Sequence, residues 1–123
     1  MVLTVPAPDV DLTVVVPVLQ DDEALFGLLN LMDQNQLKAV VVDGAGSEST
    51  AALVTAPHVY LRHPASRGAQ IAAGIAVAAG DWIWVLHADT RPDPRAIAGI
   101  YDLVRGGRPC WGRFDVALDG LSL

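Results

Sequence analysis

The residues of this chain best suited to chemistry fall at a few punctuated positions. Asp89 lies in Leu86-His-Ala-Asp-Thr-Arg-Pro, directly after an apolar run. A carboxylate there is a hard oxygen donor of the kind that holds Mg²⁺ or Mn²⁺. An ion so held would bridge two phosphates and neutralise the charge building on a departing diphosphate. The same residue also suits a turn beside a capped helix, and both readings are open. His87 would point the same way two residues earlier in an extended segment, as a ligand or donor, or else it is a satisfied buried imidazole.

Asp43 follows three valines and precedes Gly44, Gly46 and Ser47. It can accept hydrogen bonds from a base or a ribose, or serve as a turn or cap residue. Arg67-Gly-Ala-Gln70 puts a guanidinium at a predicted helix start, which is either an anion site or an ordinary surface arginine. The sequence has no glycine-rich phosphate fingerprint, no serine nucleophile elbow and no Cys or His metal pair.

These residues need a frame, and the apolar pattern supplies one. Residues 1–11 are broken up by Pro and Asp and read as a lead-in to a domain over 12–123. Strands are expected at 12–18, 39–42, 59–62 and 82–86, the first two buried, from β-branched or apolar runs. Asp21 and Asp22 offer cap oxygens to a helix over 22–34, with Leu25, Leu28, Leu29 and Met32 at helical spacing. Further helices are expected at 48–54, 68–79 and 92–106, and a last extended segment at 110–118. Gly74, inside the Ala- and Gly-rich helix, costs about 1 kcal/mol against Ala unless close approach is needed. Alternating strands and helices predict a doubly wound α/β fold, mainly parallel, with helices on both faces. Its ligand would sit beyond the carboxyl ends of the strands, where Pro17, Asp43, His87 and Asp89 fall.

Composition narrows the partners. The 123 residues are 52% hydrophobic, enough for one core without staples. A net charge of −6, with Lys38 the only lysine, disfavours nucleic acid, whose backbone needs clustered Lys and Arg. Cys110 is the only cysteine, so no intrachain disulfide forms. No apolar run reaches the roughly 18 residues of a membrane span, and the start does not read as a signal peptide. The expected location is cytoplasmic.

The order of the motifs is more specific than any one of them. Val-Val-Val-Pro-Val, then Val-Val-Val-Asp-Gly-Ala-Gly-Ser, then Arg-Gly-Ala-Gln, then Gly-Asp-Trp-Ile-Trp-Val-Leu-His-Ala-Asp-Thr resembles the family 2 glycosyltransferases, from Leu12 to about Arg95. Trp111-Gly-Arg-Phe-Asp-Val116 looks like the segment after that motif in a bacterial branch whose Asp-x-Asp signature reads His-Ala-Asp.

The resemblance implies a GT-A fold, inverting transfer from a nucleotide-diphosphate sugar, and a divalent metal (Mg²⁺ or Mn²⁺) at the diphosphate. It implies that Pro17 lies along the base, that Asp43 binds uracil or ribose, and that Arg67 sits near base and phosphates with Gln70 beside it. Asp89 matches the metal-binding carboxylate, His87 the first position of the signature, and Asp22 an acidic position after the first strand. Gln20 stands where Asn is common, Gly44 where many members have a second Asp, and His87 where a carboxylate is usual. The chain matches the N-terminal, donor-binding half of such a domain. The acceptor site and general base belong to the remainder, and no catalytic role falls to Asp102, Asp115 or Asp119.

Two other readings stand beside this one. A module that kept the fold and lost the enzyme would expose an unpaired edge or apolar face, and so form a homodimer or higher homo-oligomer. A generic Rossmann-like cofactor domain lacks its glycine fingerprint.

Overall fold

Valine builds the centre of the molecule. In the computed structural model, which describes residues 12–106, 117–118 and 121–122, the first strand β1 (Leu12–Val18) is buried along its whole length. The second, β2 (Lys38–Asp43), is buried except at Lys38. Such continuous burial requires cover on both faces. Shorter strands β3 (Val59–Arg62) and β4 (Trp82–Val85) complete a sheet of order β3-β2-β1-β4, in which every pairing is parallel. The expected doubly wound α/β fold is present.

Helices α1 (Asp22–Gln34) and α2 (Glu48–Leu53) make the crossovers from β1 to β2 and from β2 to β3. Helix α3 (Arg67–Val77) returns the chain in the opposite direction, from β3 to β4. Right-handed crossovers therefore put α1 and α2 on one face and α3 on the other. Residue 74 shows how closely α3 approaches. A Cβ on Gly74 would lie 2.6 Å from Val15 Cγ1 and 3.0 Å from Val42 Cγ2. The glycine is needed for contact.

Pro17 sits in a central strand, where a missing N–H normally breaks a ladder. Here it breaks nothing. Val15 accepts from Leu86 N on the β4 side, while Val18 accepts from Gly44 N on the β2 side. Alternation then turns the Pro17 nitrogen toward β4, and pairing with β4 has already ended at Val15↔Val85.

Helix α1 buries Leu25, Leu28, Leu29 and Met32 as its spacing predicts. Its expected capping does not occur. Asp21 occupies the N-cap but makes no side-chain cap bond; its carboxylate accepts from Leu19 N at 3.2 Å. Asp22 instead accepts from the hydroxyls of Ser49 and Thr50 on α2. Gln20, just before these two aspartates, has a left-handed backbone (φ 58°). At the other end of α1, buried His58 accepts from Ala39 N through Nδ1 at 3.0 Å. A backbone N–H can only donate, so the imidazole proton is on Nε2, which reaches Asp33 Oδ1 at 2.7 Å.

The chain divides into two compact units, Met1–Arg91 and Pro92–Leu123. The second holds α4 (Pro94–Gly106) and a small antiparallel pair, β5 (Ala117–Leu118) with β6 (Leu121–Ser122). Helix α4 starts two residues later than expected because Asp93 caps it, accepting from Ala96 N at 2.8 Å, and Pro94 takes the first turn. Most of the extended segment expected at 110–118 lies outside the described residues, as do Cys110, Asp115 and Asp119.

Candidate functional site

The strand order reverses between β1 and β4, because β2 and β3 lie on one side of β1 and β4 on the other. At that point the connecting segments diverge and leave a crevice beyond the carboxyl ends, where sheets of this type bind ligands. A concavity of about 550 Å³ lies there, lined by Gln20, Asp21, Asp22, Glu23, Ala24 and Arg91. The loop after β1 shapes it, through the left-handed Gln20. Asn enters that backbone region far more readily than Gln. The rim is acidic.

At the end of β2, Asp43 is 1% exposed. Its Oδ1 accepts from Ala45 N at 2.9 Å, and its Oδ2 from Ser47 N at 2.8 Å and Tyr60 Oη at 2.7 Å. Burial by itself pushes this carboxyl up, but the Tyr60 hydroxyl and the N–H groups of Ser47, Ala45 and Gly46 outweigh it. The net result is a pKa below the ordinary 3.8. Burial, and then the Asp43 carboxylate, push Tyr60 up to about 12. Tyr60 therefore stays a donor at any working pH. Of the two sequence readings, the turn and cap role is the one this geometry displays.

Gln70 is also drawn into the fold. It is 4% exposed, and its Nε2 donates to Val18 O at 3.0 Å and Val42 O at 2.9 Å. Its Oε1 accepts from Ser66 N at 3.2 Å. Both amide hydrogens are spent tying α3 to the ends of β1 and β2. Pro17 is buried one residue before Val18. Asp22 sits on the concavity, yet its oxygens hold Ser49 and Thr50, and those hydroxyls keep its carboxyl below the ordinary value.

The end of β4 is arranged differently. Residues 87–90 form a turn closed by Thr90 N to His87 O at 2.9 Å. Arg67, from the start of α3, reaches His87 Nδ1 at 2.8 Å. A guanidinium only donates, so Nδ1 accepts and Nε2 carries the proton, facing no partner among the described residues. Two predicted residues far apart in sequence thus meet at the carboxyl edge of the sheet. Asp89 is exposed and makes no hydrogen bond among the described residues. Asp89 thus lies in a turn, and the helix that follows is capped by Asp93.

No three His, Cys, Asp or Glu side chains gather to hold a metal ion among the described residues. A cage made by protein alone is therefore absent from that part of the chain. One uncommitted carboxylate on an exposed turn does fit Mg²⁺ or Mn²⁺ in another way. Such ions are commonly held by one or two carboxylates, with substrate phosphates and water completing the shell.

Sequence reasoning passed over Arg91 and Tyr60. Arg91 donates to three carbonyls around the crevice, Ala88 O and Ala24 O at 2.7 Å and Thr90 O at 2.8 Å. The clue was present, since Arg91 completes the His-Ala-Asp-Thr-Arg-Pro run and Gly27 interrupts an otherwise strong helix. Tyr60 left no clue, because its partner is seventeen positions away across the sheet.

A parallel sheet with an acidic, switch-point crevice defines a doubly wound α/β protein, a class whose ligands commonly sit at the strand ends. The family model for glycosyl transferase family 2 matches residues 13–121, and the chain belongs to that family. Glycosyl transfer is the chemistry of the family. No curated protein shows significant similarity to the chain. Among the described residues, no helix is long and apolar enough to cross a membrane.

Proposed function

We propose that the chain binds a nucleotide-diphosphate sugar in the crevice between β1 and β4 and takes part in inverting transfer of its sugar. The observation that carries this reading is Asp89: exposed, on a turn at the switch point, with no hydrogen bond among the described residues. In this role Asp89 holds Mg²⁺ or Mn²⁺ against the diphosphate. When bound, that ion would neutralise the charge of the leaving diphosphate. Arg67 and the proton-bearing Nε2 of His87 supply donors to phosphate or ribose oxygens. Pro17 and the loop after β1 form the floor under the base, and Asp22 holds that floor to α2.

Asp43 and Gln70 enter this reading through the backbone they hold. Reaching either directly would require a ligand to displace bonds already made. The test is thermal. Uridine or guanosine diphosphate should raise Tm only when Mg²⁺ or Mn²⁺ is present, and Asp89→Ala should abolish the rise. Absence of any shift with both nucleotides and both metals would refute it.

A second reading, an assembly module without activity, is favoured by one feature. Strand β4 forms an edge of the sheet with no partner beyond it among the described residues, and its Val85 is 37% exposed. Unpaired edges invite pairing with another chain. That reading predicts a homodimer or larger species with no donor hydrolysis. A one-chain mass by light scattering, together with metal-dependent hydrolysis of a nucleotide sugar, would eliminate it.

A further inference from the structure

We propose that Arg91 and Gly27 form a clamp that fixes the turn carrying Asp89, making Arg91 a positioning residue for the donor's diphosphate. The inference rests on the reading of Asp89 given above.

Two independent observations meet here. The first is the direction of the guanidinium's bonds. Nη1 reaches Ala88 O at 2.7 Å and Thr90 O at 2.8 Å, so it brackets Asp89 from both sides. Nη2 reaches Ala24 O at 2.7 Å in the first turn of α1. One rigid planar fork thus joins the turn after β4 to the helix after β1, across the crevice. A lysine, with a single point of charge on a flexible stem, cannot span three carbonyls in this manner.

The second observation is the seat. Gly27 lies inside α1, where glycine costs about 1 kcal/mol against Ala. A Cβ built on it would lie 2.5 Å from Arg91 Nη2 and 3.3 Å from Cζ. The guanidinium occupies the space a side chain would need. The three heavy atoms nearest to such a Cβ all belong to Arg91. The helix gives up propensity at the one place where the clamp lies against it.

The turn needs such a support. Ladder pairing ends at Leu86 N with Val15 O, and the turn's own backbone bond is Thr90 N to His87 O. A carboxylate meant to meet a metal must be held to a fraction of an ångström, and loss of a group that orients a metal ligand typically costs about tenfold to a hundredfold in metal affinity.

The test uses the full chain with uridine diphosphate and guanosine diphosphate, each with MnCl₂, measured by calorimetry beside amide exchange. Arg91→Ala, Arg91→Lys and Gly27→Ala should each speed exchange of the Thr90 amide and leave the β1 and β2 amides unchanged. Each should also weaken the Mn²⁺-dependent part of binding by about tenfold to a hundredfold. Adding Arg91→Ala to Asp89→Ala should weaken binding no further, since the arginine acts through the carboxylate. Gly27→Ala guards against misfolding, because alanine favours the helix and only the tip of a flexible side chain must move.

Unchanged Thr90 exchange in all three variants, or additive losses in the double variant, would overturn the clamp. A wild-type chain that binds neither nucleotide with Mn²⁺ would instead overturn the role of Asp89, and the positioning role with it.

Discussion

Asp43 and Asp89 close neighbouring parts of one sheet edge, each just beyond a strand, yet the molecule treats them in opposite ways. Asp43 is buried, and three donors hold its two oxygens. Asp89 is exposed and holds nothing among the described residues. Around Asp43, Gln70 spends its amide on the ends of β1 and β2. Around Asp89, Arg91 and Arg67 hold the turn and leave the carboxylate alone. A carboxylate at a strand end is thus no evidence of a ligand by itself. What matters is whether the fold has already used its oxygens.

The sharpest way to break this contrast is Asp43→Ala. It would strip the Ala45 and Ser47 amides and the Tyr60 hydroxyl of their acceptor, with Ala45 exposed and Ser47 and Tyr60 half-buried. Stability should fall by about 3 kcal/mol, since hydrogen bonds to a charged group each contribute on the order of 1.5–3 kcal/mol and water restores part of that to half-exposed donors. Urea denaturation at neutral pH measures it. A loss below about 0.5 kcal/mol, the size of an ordinary surface change, would mean that Asp43 is as free as Asp89.

Gln70→Ala should come next, at about 2 kcal/mol, because it removes both donors from the strand ends and leaves Ser66 N without its acceptor. The same denaturation curves read it. A neutral result would show that α3 is held by the Gly74 contact alone.

Acid should then separate the two carboxylates. The folded pKa of Asp43 lies below its unfolded 3.8, so the charged form is the one that the fold stabilises. That contribution is complete above the unfolded value and disappears as pH falls through the lower folded value. Wild-type stability should therefore drop below about pH 4. Asp43→Asn should start lower but fall less steeply, keeping only what Asp22 and other carboxylates contribute. Parallel slopes in wild type and variant would contradict the assignment.

Much of the frame was legible in the residues because its signals are local. Runs of valine mark β1 and β2 to within a residue, and the small residues of α3 announce a helix that packs closely. The assignment of the carboxylates was not legible, because their partners come from elsewhere. Asp22 is claimed by Ser49 and Thr50, Asp43 by Tyr60, and the Asp89 turn by an arginine that also reaches Ala24. Capping propensity assigned Asp21 and Asp22 to α1, but their carboxylates hold Leu19 N and the Ser49 and Thr50 hydroxyls instead. Propensity reads neighbours along the chain, whereas these bonds join segments that only the finished sheet brings together. The meeting of Arg67 with His87 was foreseeable only as two positions on one edge.

The smallest expected change in stability belongs to Asp89→Ala, and its smallness is what makes it informative. With no bond to lose among the described residues, the variant should stay within about 0.5 kcal/mol of wild type. A carboxylate that contributes nothing to folding but whose removal abolishes a metal-dependent nucleotide shift acts on the ligand and not on the frame. If Asp89→Ala instead costs as much as Asp43→Ala, the turn after β4 has the same duty as the loop after β2. The distinction between a carboxylate used by the fold and one left for substrate would then fail at its simplest test.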